Sequence, residues 1–373
     1  MQILFFLFLF LAVFPYFIFP LLMWLVSRLR RVGWRREEIF PPVTLIISVF
    51  NEEGVIGEKL ANSLGLDYPA ELLEVLVVSD GSTDRTHEIV ESFDDPRVRL
   101  RVFSDRAGKT ECLNRVVPEA RGEIVVFTDA NSIFPVATLK NICRNFADDN
   151  IGLVTGWTKY RSGDGGEEST GLYARLEKIT KQGESLISSC VGADGAIFAI
   201  RKALYRPLEY YDINDFVIPL NVIAQQRRVV LDPEVFCYEA PTEDEMKEFR
   251  RQVRITNRTL GAIWRGRRFL NPAVSRSFSL MLLSHKVFRF LVPFFLAATL
   301  LISFALAGNF LFYRVMFLAQ CGFVLFGGLG LWRRFDGRLI NLCAFFLLTI
   351  SAQIVGWGRF VTGKRDTLWT PQR

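Results

Sequence analysis

The sequence predicts an α/β domain, a mostly parallel sheet flanked by helices, with transmembrane and interfacial helices at both ends. Between residues 41 and 240, short β-branched runs alternate with amphipathic stretches, and this alternation is typical of a mostly parallel sheet. Long apolar stretches precede and follow that region. Basic residues are concentrated beside the apolar stretches, which indicates contact with a membrane surface.

The first predicted element is an uncharged run of 24 residues at 3–26. A helix crosses the bilayer core with about 20 apolar residues, so this run can span. A cleaved signal peptide is the alternative, but no basic residue precedes the run and no small-residue cleavage site follows it. Five arginines follow by residue 36, so the positive-inside rule places the N-terminus outside and residue 37 onward in the cytoplasm. Residues 1–36 are therefore assigned to a transmembrane helix and its basic flank.

Residues 37–240 form the predicted cytoplasmic domain. Strand-like runs lie at 43–50, 75–79, 98–103 and 124–128. Helix-like stretches lie between and after them, at about 53–64, 84–93, 109–117 and 136–147. Sheets of this kind bind ligands beyond the carboxyl ends of their strands, so the residues that follow each strand are the candidates for a site.

The C-terminal third of the chain predicts helices on and in a membrane. Residues 241–289 mix basic with aromatic and aliphatic side chains, which favours amphipathic helices in the cytoplasmic headgroup layer over a basic solvated face. Apolar stretches at about 290–307, 310–331 and 338–357 predict two or three spans in residues 290–373. Three spans would place the C-terminus outside, whereas the basic tail favours the inside, so the number stays open. His285 is expected to contact a headgroup or to form an interhelical hydrogen bond.

Charge and composition exclude several classes. The net charge of +6 divides into +5 for residues 1–36, −14 for residues 37–250 and +15 for residues 251–373. An acidic central domain argues against a nucleic-acid partner, which would need a basic surface on the folded module. Two histidines and six cysteines without a C-x-x-C pair exclude a His/Cys zinc site.

Polar residues follow three of the predicted strands, at 51–53, 80–84 and 129–131. Asp129 and Asn131 offer oxygen ligands two residues apart, which suits a hard divalent ion that also binds phosphate oxygens. Lys109 opens a helix after a glycine and would supply positive charge to the same diphosphate. An aspartate, asparagine or glycine at a strand end is by itself an ordinary turn former. The first strand is not followed by G-x-G-x-x-G and no P-loop motif is present, which argues against a dinucleotide fold and a P-loop ATPase.

The strings PPVTLIISVFNEEGVI, EVLVVSDGSTDRT, AGKTECLN and VVFTDANSIF together resemble the family 2 glycosyltransferases, which have a GT-A fold. The chain also resembles the membrane-integrated branch that includes cellulose, hyaluronan and poly-N-acetylglucosamine synthases. The resemblance covers roughly residues 41–260. It implies a sugar transfer from a nucleotide-diphosphate sugar, with Mg²⁺ or Mn²⁺ as cofactor.

On the donor side, the resemblance implies roles for six residues. Asn51 and Glu53 match the family's first-strand loop near the nucleotide. Asp80 matches the acid of the D-G-S motif that holds the uridine part, and Lys109 matches the lysine of the G-K-x-x-x-L-N motif near the diphosphate. Asp129 and Asn131 match the D-x-D metal motif, although Asn131 is neutral where an aspartate is usual.

On the acceptor side, the resemblance implies that Asp194, within residues 190–196, holds the acceptor sugar. Asp215 matches the aspartate of the T-E-D motif, which is the catalytic base. Arg251 and Arg254 fall on the Q-x-x-R-W motif and are expected near the diphosphate. Ile255 replaces the tryptophan of that motif, which puts processive polymer synthesis in doubt.

The resulting hypothesis is an inverting transfer from a nucleotide sugar, expected to be UDP-linked, to a saccharide or lipid-linked acceptor. The reaction would take place at the cytoplasmic face of the inner membrane, in contact with membrane lipids, in polysaccharide or glycolipid biosynthesis. The alternative is a processive synthase that also translocates its polymer. A non-catalytic membrane scaffold is disfavoured because Lys109, Asp129 and Asp215 are retained together. Protein partners are not predicted.

Overall fold

The computed structural model describes residues 1–161, 172–241, 244–332 and 337–364. In this part of the chain the strands form one seven-stranded sheet in the order β3-β2-β1-β4-β6-β5-β7. The strands are β1 (Val43–Val49), β2 (Leu73–Asp80), β3 (Val98–Phe103), β4 (Ile124–Asp129), β5 (Ile151–Tyr160), β6 (Ile197–Arg201) and β7 (Arg228–Glu239). β6 runs antiparallel to β4 and β5, and the remaining neighbours are parallel.

The described helices, in chain order, are α1 (Gln2–Val13), α2 (Phe19–Leu29), α3 (Ile56–Leu64), α4 (Thr86–Glu91), α5 (Lys109–Val116), α6 (Thr138–Cys143), α7 (Leu172–Ile187), α8 (Asn214–Ala224), α9 (Glu245–Arg265), α10 (Arg276–Leu282), α11 (Phe288–Leu306), α12 (Leu311–Leu331) and α13 (Arg338–Val361). One π-helical turn joins α1 to α2 and another joins α10 to α11. The mostly parallel sheet with flanking helices confirms the predicted fold class.

The register of the central strands sets the position of the site. Every residue of β1 and β2 is buried, as expected where helices cover both faces of a parallel sheet. Ser48 of β1 pairs with Asp129 of β4, and Val49 pairs with Ser79 of β2. The carboxyl ends of the three strands therefore meet at one edge of the sheet.

Within the described residues, four helical segments are long and apolar enough to cross a membrane: Gln2–Leu29, Arg276–Leu306, Leu311–Leu331 and Leu339–Val361. The first coincides with the predicted run at 3–26. The second is continuous through α10 and α11, so the predicted boundary between residues 289 and 290 falls inside one helical segment. A buried apolar cluster that includes Phe19, Phe216, Leu260 and Phe278 joins this region to the sheet domain.

The last described helix packs against the helix that follows the sheet. A Cβ atom at Gly356 of α13 would lie 2.6 Å from the Thr256 Cβ of α9, so a glycine is needed for this approach. Beyond α13, the Asn257 Nδ2 donates to the Lys364 carbonyl oxygen at 2.8 Å. The end of α13 therefore lies beside α9. Residues 365–373, which complete the basic tail, are outside the described residues.

Candidate active site

The turns after β1 and β2 are held together by Asn51 and Glu53. Asn51 lies in the left-handed region with φ 54°, and its Oδ1 accepts from the Thr83 N–H at 2.8 Å. Glu53 Oε2 accepts from the Arg85 N–H at 3.1 Å. Both side chains predicted to lie near the nucleotide thus bind the loop that follows Asp80.

Asp80, the last residue of β2, is 3% exposed. Both of its carboxylate oxygens lie 3.1 Å from the Gly108 N–H, which donates to them. Gly108 has a φ of 89°, a backbone conformation that residues other than glycine rarely adopt. The carboxylate predicted to hold the uridine therefore fixes the turn that opens α5.

Lys109, the first residue of α5, lies against the predicted metal ligand. Its Nζ donates to Asp129 Oδ1 at 2.6 Å, and both side chains are largely buried. Asn131 follows Asp129 by two residues and is half-buried. The predicted diphosphate lysine and the predicted metal carboxylate thus form an ion pair at the sheet edge.

Glu239, at the end of β7, is a site residue that no sequence motif indicated. Ser132 Oγ, one residue after Asn131, donates to Glu239 Oε1 at 2.5 Å. Burial and the neighbouring Asp129 carboxylate raise the pKa of Glu239 to about 7. Its position as an acid at the end of a strand is the sequence signal that indicates it, because ligands bind beyond the carboxyl ends of the strands.

The side chain of Lys59 supports the turn that follows β4. Lys59 of α3 is fully buried, and its Nζ donates to Thr128 Oγ1 at 3.1 Å and to the Ser132 carbonyl oxygen. Burial lowers the pKa of Lys59 to about 7. Lys59 thus holds both sides of the turn that carries Asp129 and Asn131.

The donor atoms at this turn suit a hard divalent cation, because they are carboxylate and amide oxygens. No group of three or more His, Cys, Asp or Glu side chains in the described parts of the chain is placed to hold a metal by itself. A bound Mg²⁺ or Mn²⁺ would therefore take its remaining ligands from water and from a diphosphate. Lys109 would have to release Asp129 or share it.

Asp215 lies in the first turn of α8 and faces residues 190–196, which we call the acceptor loop. A Cβ atom at Gly195 would lie 3.0 Å from Asp215 Oδ2, so the carboxylate rests directly on this glycine. The Asp215 carbonyl oxygen accepts from the Ala193 N–H at 2.7 Å. Pro219, four residues on, has no N–H to offer that carbonyl, so the helix leaves it available to the loop.

The charges around the Asp215 carboxylate shift its pKa in opposite directions. Burial raises the pKa of Asp215, and the nearby Asp194 raises it further. The ammonium groups of Lys286, Lys181 and Lys109 lower it. This carboxyl is therefore both desolvated and surrounded by cations.

Asp194 is fixed by β5. Its Oδ2 accepts from the Thr158 N–H at 3.0 Å, and the Thr158 hydroxyl donates to its carboxylate at 3.1 Å. Asp194 Oδ1 also accepts from the Ala196 N–H at 3.1 Å. The predicted acceptor residue is thus in the same loop that touches Asp215.

The predicted arginine pair lies on α9. Arg251 Nη1 donates to Glu248 Oε2 at 3.0 Å, and the charge of Glu239 also acts on its guanidinium. Arg254 is three residues further along the same helix and is half-buried. The charge interaction with Glu239 places Arg251 near the end of β7. Because Glu239 binds Ser132, Arg251 also lies near the turn that contains Asp129.

Comparison with known sequences agrees with the family resemblance of the sequence motifs. Residues 44–206 match the family described as Glycosyl transferase family 2. Beta-monoglucosyldiacylglycerol synthase of Synechocystis sp. is 31% identical over 159 residues, which covers 39% of this chain and 33% of the relative. Poly-beta-1,6-N-acetyl-D-glucosamine synthase of Staphylococcus aureus is 24% identical over 233 residues, covering 60% of this chain and 52% of the relative. The chain thus spans about half or less of the length of these relatives.

Among solved structures, the mannosyltransferase PcManGT from Pyrobaculum calidifontis, in complex with GDP-Man and Mn²⁺, superposes with a TM-score of 0.75. The match covers 97% of this chain and 100% of that chain at 22% sequence identity. At this identity the likeness establishes the fold, which is the GT-A arrangement with its appended helices.

Proposed function

We propose that the protein is a glycosyltransferase that performs an inverting transfer from a nucleotide-diphosphate sugar, and the match of residues 44–206 to the Glycosyl transferase family 2 model supports this. The acceptor would be a hydroxyl of a saccharide or lipid-linked molecule at the membrane surface. The observation that carries the proposal is the meeting of Lys109, Asp129 and Asp215 near one edge of the sheet, with Lys109 acting on both acids.

In this proposal Asp215 is the general base. The acceptor hydroxyl loses its proton to the Asp215 carboxylate as its oxygen attacks the anomeric carbon, and the bond to the diphosphate oxygen breaks. A positioned base contributes typically about 10²–10⁴-fold to such a step. A raised pKa makes the carboxylate a stronger base once it is ionised.

Negative charge develops on the departing diphosphate. Lys109 and the α9 pair, Arg251 and Arg254, would stabilise that charge electrostatically. Asp129 and Asn131 would hold Mg²⁺ or Mn²⁺, which supplies charge neutralisation when bound. The net charge of residues 37–250 is negative and does not attract a diphosphate. These few cations therefore have to attract it locally.

We infer a uridine nucleotide as the donor carrier from the match of Asp80 to the D-G-S motif. PcManGT was solved with GDP-Man, so the guanosine alternative belongs in the same test. Two relatives, one named for a glycolipid product and one for a polysaccharide, support a lipid-linked or saccharide acceptor. With Ile255 in place of the aromatic residue that the family motif carries, we favour a single transfer over processive synthesis.

We further propose that the catalytic domain and the end of α13 lie on the cytoplasmic side, so that only two of the three candidate C-terminal segments cross the membrane. The packing of Gly356 on Thr256, with Lys364 bound by Asn257, supports a common side for α9 and the C-terminal tail. This agrees with the basic character of the tail. Protease digestion of a C-terminal epitope in sealed inverted vesicles would remove it if the tail is cytoplasmic.

Native membranes that contain the protein should be incubated with radiolabelled UDP- and GDP-sugars, and the products separated by organic extraction. We expect label from one donor in the organic phase, which indicates a lipid-linked product. Label in insoluble polymer would support the processive alternative. Absence of transfer from every donor, with folded protein present, would contradict the proposed function.

A further inference from the structure

A buried ionic cluster lies between α7 and the helical segment Arg276–Leu306. We call it the α7 cluster, and its members are Glu177, Lys181, Glu184, His285, Lys286 and Arg289. The sequence predicts Lys286 and Arg289 near membrane headgroups, and His285 at a headgroup or in an interhelical hydrogen bond. In the structure all three side chains face α7 of the sheet domain.

The contacts within the α7 cluster are direct. His285 Nδ1 lies 2.7 Å from Glu184 Oε1, and both side chains are fully buried. His285 Nε2 lies 3.1 Å from the Glu177 carboxylate, which also accepts from Arg289 Nη2 at 2.9 Å. The interhelical hydrogen bond expected for His285 is therefore confirmed. Buried ions are costly unless they are paired in this way.

The α7 cluster also holds the acceptor loop. Glu184 Oε2 accepts from the Val191 N–H at 2.9 Å, and Lys181 Nζ donates to the Ala193 carbonyl oxygen at 3.1 Å. Gly192 has φ 85°, and a Cβ atom there would lie 3.9 Å from Lys286 Cε. Val191 and Ala193 are thus hydrogen-bonded to the cluster, and Gly192 lies between them, immediately before Asp194.

Asp215 receives the charge of the same lysines. The charged groups that act on its carboxylate are Lys286, Lys181 and Lys109, which attract it, and Asp194, which repels it. Lys109 already pairs with Asp129, and Lys181 is bound to the acceptor loop. Lys286 has the largest attractive effect of the three.

We propose that Lys286 and Lys181 are positioning residues that hold the acceptor loop against Asp215 and bring positive charge to its carboxylate. The proposal rests on the function proposed above for Asp215. It goes further in giving the candidate membrane segment Arg276–Leu306 a direct part in the acceptor side of the reaction. Neither lysine exchanges a proton with the substrate.

The test is the pH profile of kcat/KM for transfer. Asp215 must be ionised to accept a proton, so kcat/KM rises with pH through the Asp215 pKa. Lys286→Met removes an attractive charge, and we expect the midpoint of the acid limb to move upward by about one pH unit. Lys286→Arg retains the charge, and its acid limb should stay near the wild-type midpoint.

Lys181→Met and Lys181→Arg form a second pair with the same expectation, in case Lys286→Met fails to fold in detergent. A folded methionine variant whose acid limb does not move would overturn the proposal. So would an arginine variant whose limb moves as far as that of the methionine variant. A structural role alone would lower the rate at every pH in both variants of a pair.

This outcome is separable from failure of the proposed function. Asp215→Asn tests the base itself. If Asp215→Asn retains transfer, the base assignment is wrong. If Asp215→Asn is inactive while the lysine variants keep a wild-type acid limb, the inference about the lysines is wrong and the base assignment stands.

Discussion

At the scale of single residues, the proposed role of Asp215 as a base depends on the surroundings of its side chain. Gly195 lies under its carboxylate, and Ala193 binds its carbonyl oxygen. The sequence indicated Asp215 and Asp194 through motif resemblance, but their adjacency is a tertiary contact between residues about twenty positions apart. A motif gives the type of side chain, whereas the packing of α8 on the acceptor loop gives its environment.

Gly195→Ala should displace the Asp215 carboxylate, because the new Cβ would lie 3.0 Å from Oδ2. We expect kcat to fall by about 10²-fold, the cost of a displacement near 1 Å in a catalytic group. The control is Gly57→Ala on α3, where the new Cβ would lie at an ordinary 3.6 Å from Ile89. Steady-state transfer rates that are equal in the two variants would contradict the assigned contact.

Asp129→Asn should weaken binding of Mn²⁺ in the presence of nucleoside diphosphate, because a charged ligand is lost. The measurement is titration of Mn²⁺ by electron paramagnetic resonance, which reads binding without turnover. Asp149→Asn is the control, since the Asp149 side chain is 92% exposed and lies outside the turn. Unchanged Mn²⁺ affinity in Asp129→Asn, or full transfer activity after chelation with EDTA, would contradict the metal role.

At the scale of elements, strand ends were predictable and the contacts between elements were not. Continuous β-branched runs identified β1, β2, β3 and β4, and parallel register brought the ends of β1, β2 and β4 to one edge. Lys59 and the α7 cluster escaped prediction because each depends on partners about 70 or more positions away. Local periodicity carries no information on such pairs.

Pro219→Ala should restore an N–H to α8 that competes with Ala193 for the Asp215 carbonyl oxygen. We expect the acceptor loop to loosen, so the acceptor KM should rise several-fold while the donor KM changes little. Pro293→Ala, inside α11, is the matched control and should leave both KM values unchanged. A larger change in donor KM than in acceptor KM would show that the proline serves another purpose.

Gly356→Leu should separate α13 from α9, because a Cβ atom would lie 2.6 Å from the Thr256 Cβ. Overpacking of this kind costs about 1–3 kcal/mol. We expect a lower Tm in detergent and reduced transfer, since α9 carries Arg251 and Arg254. Gly358→Leu is the control, because none of the described atoms lies within 4 Å of its Cβ position. Equal Tm values for the two variants would mean that the helices do not pack as the structure shows.

At the scale of the whole molecule, the division of charge corresponds to the architecture. The acidic sheet domain lies between basic segments that adjoin the candidate membrane helices. The sequence predicts an interfacial region at 241–289 and a membrane region at 290–373. In the structure one helical segment, Arg276–Leu306, belongs to both, because it reaches the α7 cluster and is long enough to span. Basic residues in that segment resemble a headgroup contact in sequence, but acidic partners on α7 account for Lys286 and Arg289.

We propose Asp215 as the base of an inverting sugar transfer, and the transfer rate of Asp215→Asn measures that role. With the donor identified by the nucleotide-sugar panel, we expect kcat to fall by about 10²–10⁴-fold. Donor KM should stay close to the wild-type value, because the residues proposed to bind the donor lie elsewhere on the sheet edge. Asp149→Asn should behave as wild type. Transfer by Asp215→Asn at a rate close to the wild-type rate would contradict the account.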